Sequence, residues 1–198
     1  MSLKRTAFLA AASASLLLLF LWLAWRSTAF WNALSPVTHK HELYQLAGVY
    51  KIDPMLLAAI IKTESGFFPY SQSHKGALGL MQLLPQTAQQ LAAELKIDYQ
   101  DPEDLYREDI NLHLGTHYFA RLLKVHGGNL VLALASYNAG LGKVRLWKLD
   151  SYGKDQSELI DSIPVPATRS YVRTVLKNYH FFKTVQWVKR LLRGDDDL

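Results

Sequence analysis

The chain contains no cysteine, which excludes disulfides, thiolate metal sites and lipid attachment at an N-terminal cysteine. Charge is also sparse. Only 20% of the 198 residues are charged against 49% hydrophobic, a balance that excludes extended disorder and suits one domain with a sizeable core. No dense basic stripe interleaved with aromatics occurs, so nothing points to a nucleic-acid partner. The net charge of +5 does not change this: residues 1–26 hold Lys4, Arg5 and Arg26 and no acid, leaving only +2 for the rest. Sustained apolar–polar alternation, the mark of a half-buried strand, is missing too. So are internal repeats and low-complexity linkers.

What is present begins with a long apolar run. Lys4-Arg5 precedes TAFLAAASASLLLLFLWLAW, Thr6 to Trp25, without a charge. At 1.5 Å per residue, about 20 residues suffice to cross the hydrocarbon of a bilayer. Cationic residues ahead of the run leave the N-terminus cytoplasmic. Cleavable signal peptides have a shorter apolar region of about 7–15 residues. Ser27-Thr28-Ala29 offers a cleavage-like site, but Trp25-Arg26 interrupts it, so an uncleaved anchor is favoured and secretion after cleavage is the alternative. The chain divides into a signal-anchor or transmembrane segment (1–26), a juxtamembrane linker (27–38), a helical domain (39–193) and a polar tail (194–198).

Within the domain the spacing of apolar residues and the stop signals predict a succession of helices. His41–Tyr50 carries Leu43, Leu46 and Ala47 at helical spacing. Asp53-Pro54 supplies an N-cap and a first-position proline for a helix reaching Ser65, with Gly66 beyond it. Pro85 opens a helix to about Leu95. Ile110–His126 is halted by Gly127-Gly128, and Asn129 caps a helix that stops at Gly140. A short helix is expected over Lys143–Leu149, and a long one from Thr168 to about Arg193. The fold class is all-α.

Glu64 lies in the last turn of its helix, where unpaired carbonyls and the negative end of the helix dipole disfavour an ionised carboxylate. Ile60 and Ile61 are its helical neighbours. Both influences raise a carboxyl pKa, as a general acid working near neutral pH requires. A surface glutamate with its head in water is the bland reading of the same residue. Ser73, in a loop, and Gln82, a lone amide in the apolar stretch Ala77–Gln82, follow. Tyr137 and Asn138 end an apolar helix. Together these describe a cleft built from helix ends, bearing a carboxyl, amides and an aromatic ring, groups suited to gripping a sugar.

The three motifs TESGF, GALGLMQLLPQTA and ASYNAG, in that order and spacing, resemble the soluble lytic transglycosylase (SLT) domain, related in fold to goose-type lysozyme. The resemblance covers about Leu43 to Leu176. It implies a single lysozyme-like helical domain that cleaves the β-1,4 bond between N-acetylmuramic acid and N-acetylglucosamine in peptidoglycan, leaving 1,6-anhydromuramyl ends. Glu64 would be the catalytic acid and then base, and no second carboxylate occurs between Lys62 and Gln90, whereas most glycosidases use two. Ser73, Gln82, Tyr137 and Asn138 match positions that bind substrate or shape the cleft. IPVPATRSYV, Ile163 to Val172, resembles the closing motif and supplies Tyr171, which the resemblance implies lines the cleft as a further substrate-binding residue. One departure stands out: Ala167 occupies a position where the family commonly has glutamate. The resemblance implies peptidoglycan glycan strands as partner and no cofactor. The apolar run adds the membrane as a second partner through the N-terminal helix, so the expected location is the bacterial inner membrane, single-pass, with the domain in the periplasm. A lysozyme-type hydrolase, or a glycan-binding scaffold that has lost catalysis, are the alternatives.

Other candidates carry less. His113 and His117 have zinc-like spacing, but Leu114 stands where a metalloprotease motif has glutamate, so no metal is expected. The acidic group Asp98, Asp101, Glu103, Asp104, Glu108 and Asp109 lacks the ligand pattern of a calcium loop and reads as a solvated turn. The basic, aromatic final helix, with Lys183, Trp187, Lys189 and Arg190, reads as core packing before lipid contact.

Overall fold

The structure, a computed structural model, describes residues 3–27, 40–147, 149 and 155–193. The cleavage-like site beyond Ser27, nearly all of the expected linker and the polar tail lie outside these residues. The apolar run falls in α1, Leu3–Arg26, and Leu16 to Leu23 are solvent-exposed. Among the described residues, no helix is long and apolar enough to cross a membrane.

The domain itself is helical, with no strand among the described residues and only two isolated antiparallel bridges, Gln72 with Leu78 and Leu78 with Leu83. Helix α2 (Lys40–Tyr50) leads into α3 (Pro54–Glu64). Asp53 accepts from the Met55 amide and Pro54 takes the first turn, as expected. Every residue from Met55 to Ile61 is buried, so α3 is apolar all round and can only be a central helix. The other helices of this half pack around it. The longest of them, α9 (Pro166–Arg193), lies along α3. Its Tyr179 hydroxyl and Lys183 ammonium both donate to Asp53, at 2.9 Å each, tying the start of α3 to α9.

Helices α4 (Pro85–Leu95), α5 (Glu108–Val125) and α6 (Leu130–Ala139) complete the frame, with α5 packing on α2, α4 and α6. Asn129 caps α6 by accepting from the Leu132 amide. Gly140, at φ +91°, ends it and starts α7 (Leu141–Leu146). That glycine explains why the short helix begins before Lys143; its end at Leu146 also comes earlier than the expected Leu149. The final helix likewise starts at Pro166 rather than Thr168, since proline is well suited to a first turn.

Two elements were not expected. Pro102–Tyr106 forms a 3-10 helix inside the acidic turn, with a reciprocal cap between Asp101 and Asp104. Gln156–Asp161 forms α8, with the same arrangement between Asp155 and Glu158. An acid followed three residues later by another acid is a legible start signal in both cases. His113 and His117 pack edge-on against Tyr50, with ring centroids 6.0 and 5.7 Å away. The buried side chains fall into two clusters, a larger one around α3 and a smaller one joining Leu78, Leu83, Leu91, Leu105 and Leu114. The site lies where they meet.

Candidate active site

Glu64 is the last residue of α3, and the chain turns sharply there. Gly66 and Phe67 both have positive φ, +62° and +70°, so the backbone leaves the helix axis at once. The Glu64 side chain is half-buried. Burial pushes its carboxyl from 4.5 up to about 7, partly offset by a hydrogen bond from the Tyr171 hydroxyl. That hydroxyl, on α9, donates to Glu64 Oε1 at 2.6 Å. The carboxyl is therefore protonated in a large fraction of molecules at neutral pH, with a donor in place to steady the anion once the proton leaves.

The segment after α3 folds into a tight loop that supplies the opposite wall. Gly79, at φ +76°, sits so close to the start of α5 that a Cβ would lie 2.1 Å from the Leu105 carbonyl oxygen and 2.2 Å from Asn111 Nδ2. Only glycine fits. Gln82 also has positive φ, +48°, and its amide nitrogen donates to the carbonyls of Ser71 (3.0 Å) and Gly79 (2.9 Å). Its role is thus partly to brace the loop, leaving its amide oxygen available. Ser73 is turned into the same loop: its hydroxyl accepts from the Ala77 amide at 3.0 Å.

Asn111 holds this loop against α5, and the sequence reading missed it. It is fully buried, accepts from the Met81 amide at 2.7 Å, and donates to the carbonyls of Leu78 (3.0 Å) and Leu105 (2.8 Å). Its signal was a lone amide between Ile110 and Leu112, on a helix whose inward face is otherwise mostly apolar. From the other side, Tyr137 on α6 donates its hydroxyl to the Met81 carbonyl at 2.7 Å. Tyr118 and Phe119 pack on its ring with centroids 5.4 and 5.9 Å away. The Tyr137 and Tyr171 hydroxyls are pushed well above the usual tyrosine range, first by burial and then by the nearby Glu64 charge. They act as hydrogen-bond donors, not as acids.

The result is a cleft of about 520 Å³. Glu64, Ser73, Gln82, Tyr137 and Asn138 all line it, as do Tyr118, His74, Lys75 and Lys143. Glu64 is its one carboxylate among these lining residues. Tyr171 is not among them and reaches the site through its bond to Glu64. Asn138 is exposed, and its Oδ1 accepts from the buried Thr168 hydroxyl at 2.9 Å, which fixes the end of α6 to the start of α9. Ala167, next to that bond, is exposed and offers no polar group. The arrangement can donate one proton from a neutral carboxyl, hold the resulting anion, and bind a polar ligand through amides, aromatic faces and the Lys75 and Lys143 ammonium groups.

Comparison with known proteins gives a consistent picture. Residues 44–160 match the family described as Transglycosylase SLT domain. The chain is 36% identical over 141 residues to the soluble lytic murein transglycosylase of Salmonella typhimurium, a match covering 70% of this chain and 22% of that protein. It is 33% identical over 147 residues to membrane-bound lytic murein transglycosylase C of Sodalis glossinidius, covering 67% of this chain and 40% of that one. The crystal structure of the 70 kDa soluble lytic transglycosylase from Escherichia coli superimposes with a TM-score of 0.72 at 30% identity, over 84% of this chain and 26% of the other. The chain therefore spans well under half the length of these relatives.

Proposed function

Starting from the fact that this chain belongs to the transglycosylase SLT domain family, we propose that it is a peptidoglycan lytic transglycosylase with Glu64 as its single acid and base. The observation that carries this is a half-buried carboxyl, the one acid among the residues lining the cleft, whose pKa burial raises to about 7 and to which Tyr171 donates at 2.6 Å. In the first step Glu64 gives its proton to the oxygen joining muramyl C1 to the next sugar. The C1–O bond breaks, and the acetamido group of the same muramyl residue supports the electron-poor C1. The Tyr171 hydroxyl donates to the Glu64 carboxylate that remains. The first proton leaves on the new hydroxyl of the departing sugar; in the second step the muramyl C6 hydroxyl oxygen closes on C1 and gives its own proton to the Glu64 carboxylate. No water is consumed, and one carboxyl serves both steps, so none is needed on the opposite face.

Ser73, Gln82, Tyr137 and Asn138 are proposed to bind and orient the sugars, and Tyr171 to position Glu64. The domain proposed to carry this activity is 39–193. The apolar run Thr6 to Trp25 is proposed to be an uncleaved single-pass anchor holding the domain on the periplasmic side, a reading that rests on the length and charge pattern of the run. A shortened, soluble form in cell fractions would refute it.

Digestion of purified sacculi followed by mass spectrometry of the released muropeptides tests the reaction. Anhydromuramyl ends are expected. Reducing ends alone would replace the transglycosylase with a hydrolase. The exposed Ala167, which contributes no carboxylate to the cleft margin, gives the non-catalytic alternative its one specific support. Binding to sacculi without any release would decide for that alternative.

A further inference from the structure

Two aromatic side chains just beyond Glu64 have no use in the scheme above. Phe68 and Tyr70 are 58% and 67% exposed, although Phe67 beside them is buried against Phe182. Their placement is built rather than loose. The Ser71 amide donates to the Phe68 carbonyl at 3.2 Å, closing a turn with Pro69 at its second position, where proline presets the backbone. The Ser65 carbonyl accepts from the Phe68 amide at 3.1 Å and from the Ser71 hydroxyl at 3.4 Å. The Phe68 and Tyr70 rings meet nearly edge-on at 6.0 Å, and Tyr70 lies 5.7 Å from the ring of Tyr106. Tyr106 packs against the smaller apolar cluster. Three rings thus form a row whose inner end is pinned to the core and whose outer two faces meet solvent. Large exposed apolar surfaces held in a fixed arrangement mark binding sites.

The surroundings select the occupant. Ser65, Gly66, Ser71 and Gln72 flank the rings, so the exposed apolar surface is confined to two side chains, far fewer than the roughly 20–30 residues a side of a stable protein interface. The turn from Ser65 to Ser73 has no lysine or arginine, which argues against an anionic lipid surface. A pyranose chain fits both features: the C–H faces of its rings cover flat aromatic surface while its hydroxyl edges stay hydrated. Continuity points the same way. Along the chain the two rings fall between Glu64, which lines the cleft, and Ser71, whose carbonyl is held by the cleft residue Gln82.

We propose that Phe68 and Tyr70, backed by Tyr106, form an additional saccharide subsite outside the cleft that grips the glycan strand beyond the sugars being cleaved. This rests on the cleft being a glycan site. The probes are peptide-free glycan strands of many disaccharides and a tetrasaccharide of the same repeat, bound to the full-length Glu64→Gln protein. Adding Phe68→Ser and Tyr70→Ser lowers the ratio of long-strand to tetrasaccharide affinity about tenfold, the scale of one well-placed aromatic contact. Tyr70→Trp alone keeps or raises the ratio. An unchanged ratio in the double-serine protein overturns the subsite and leaves the cleft reading intact. If the Glu64→Gln parent binds neither probe, the glycan reading of the cleft falls and the subsite with it.

Discussion

Replacing Glu64 with glutamine separates the two consequences of holding a carboxyl in a poorly hydrated place. In the folded protein the carboxyl titrates at about 7 instead of 4.5, a difference corresponding to roughly 3 kcal/mol. Because the cleft opens to water, about 2–3 kcal/mol is the appropriate expectation. The sign follows from linkage. A pKa higher in the folded than in the unfolded state means that wild-type stability is full below about pH 4.5, falls as pH rises, and levels off above about pH 7. Glutamine does not titrate, fills nearly the same volume and keeps an oxygen to accept from Tyr171. The variant should therefore match the wild type at pH 4.5 and exceed it by about 2–3 kcal/mol at pH 8.5. Urea unfolding followed by far-ultraviolet circular dichroism at the two pH values measures this directly. Muropeptide release should meanwhile fall by about 10²–10⁴-fold, the contribution of a positioned acid. A stability difference equal at both pH values would show that Glu64 is freely solvated, and the proton-holding role would go with it.

Tyr171→Phe removes the donor that favours the Glu64 anion, so the carboxyl pKa moves further up. The alkaline limb of the pH–rate profile should shift to higher pH while the maximal rate drops about 10–100-fold, the loss of a hydrogen bond to a charged group; an unmoved limb would exclude the positioning role. Asn111→Leu leaves the Met81 amide and the Leu105 carbonyl unpaired in the core, while the Leu78 carbonyl keeps its bond from the Leu83 amide. Destabilisation of about 3–5 kcal/mol is expected in chemical unfolding, and a loss below 1 kcal/mol would show that the loop is held by other contacts.

Much of the helical framework could be read from local signals because those signals act over a few residues. Asp53-Pro54, Asn129 and Gly140 mark helix ends through their own backbone geometry and nearest amides. The Lys143 boundary was misplaced because Gly140 both ends one helix and begins the next, a double use that its identity alone does not announce. The 3-10 helix at Pro102 and α8 were passed over although their capping acids were visible. Asn111 was harder: a buried amide at the start of a helix has no local signature of what it holds, since its partners are the loop 30 residues earlier and the preceding 3-10 turn.

The sequence by itself determined the helical class, the order of most elements, and which side chains (Glu64, Ser73, Gln82, Tyr137 and Asn138) were worth gathering into one cleft. Tertiary structure decided what those side chains experience. Tyr171 reaches Glu64 across 107 residues of chain, Gln82 spends its amide nitrogen on loop carbonyls, and packing, not helix position alone, withholds water from the carboxyl. Helix starts and stops are set by contacts within a turn, whereas desolvation depends on whatever the rest of the chain brings alongside.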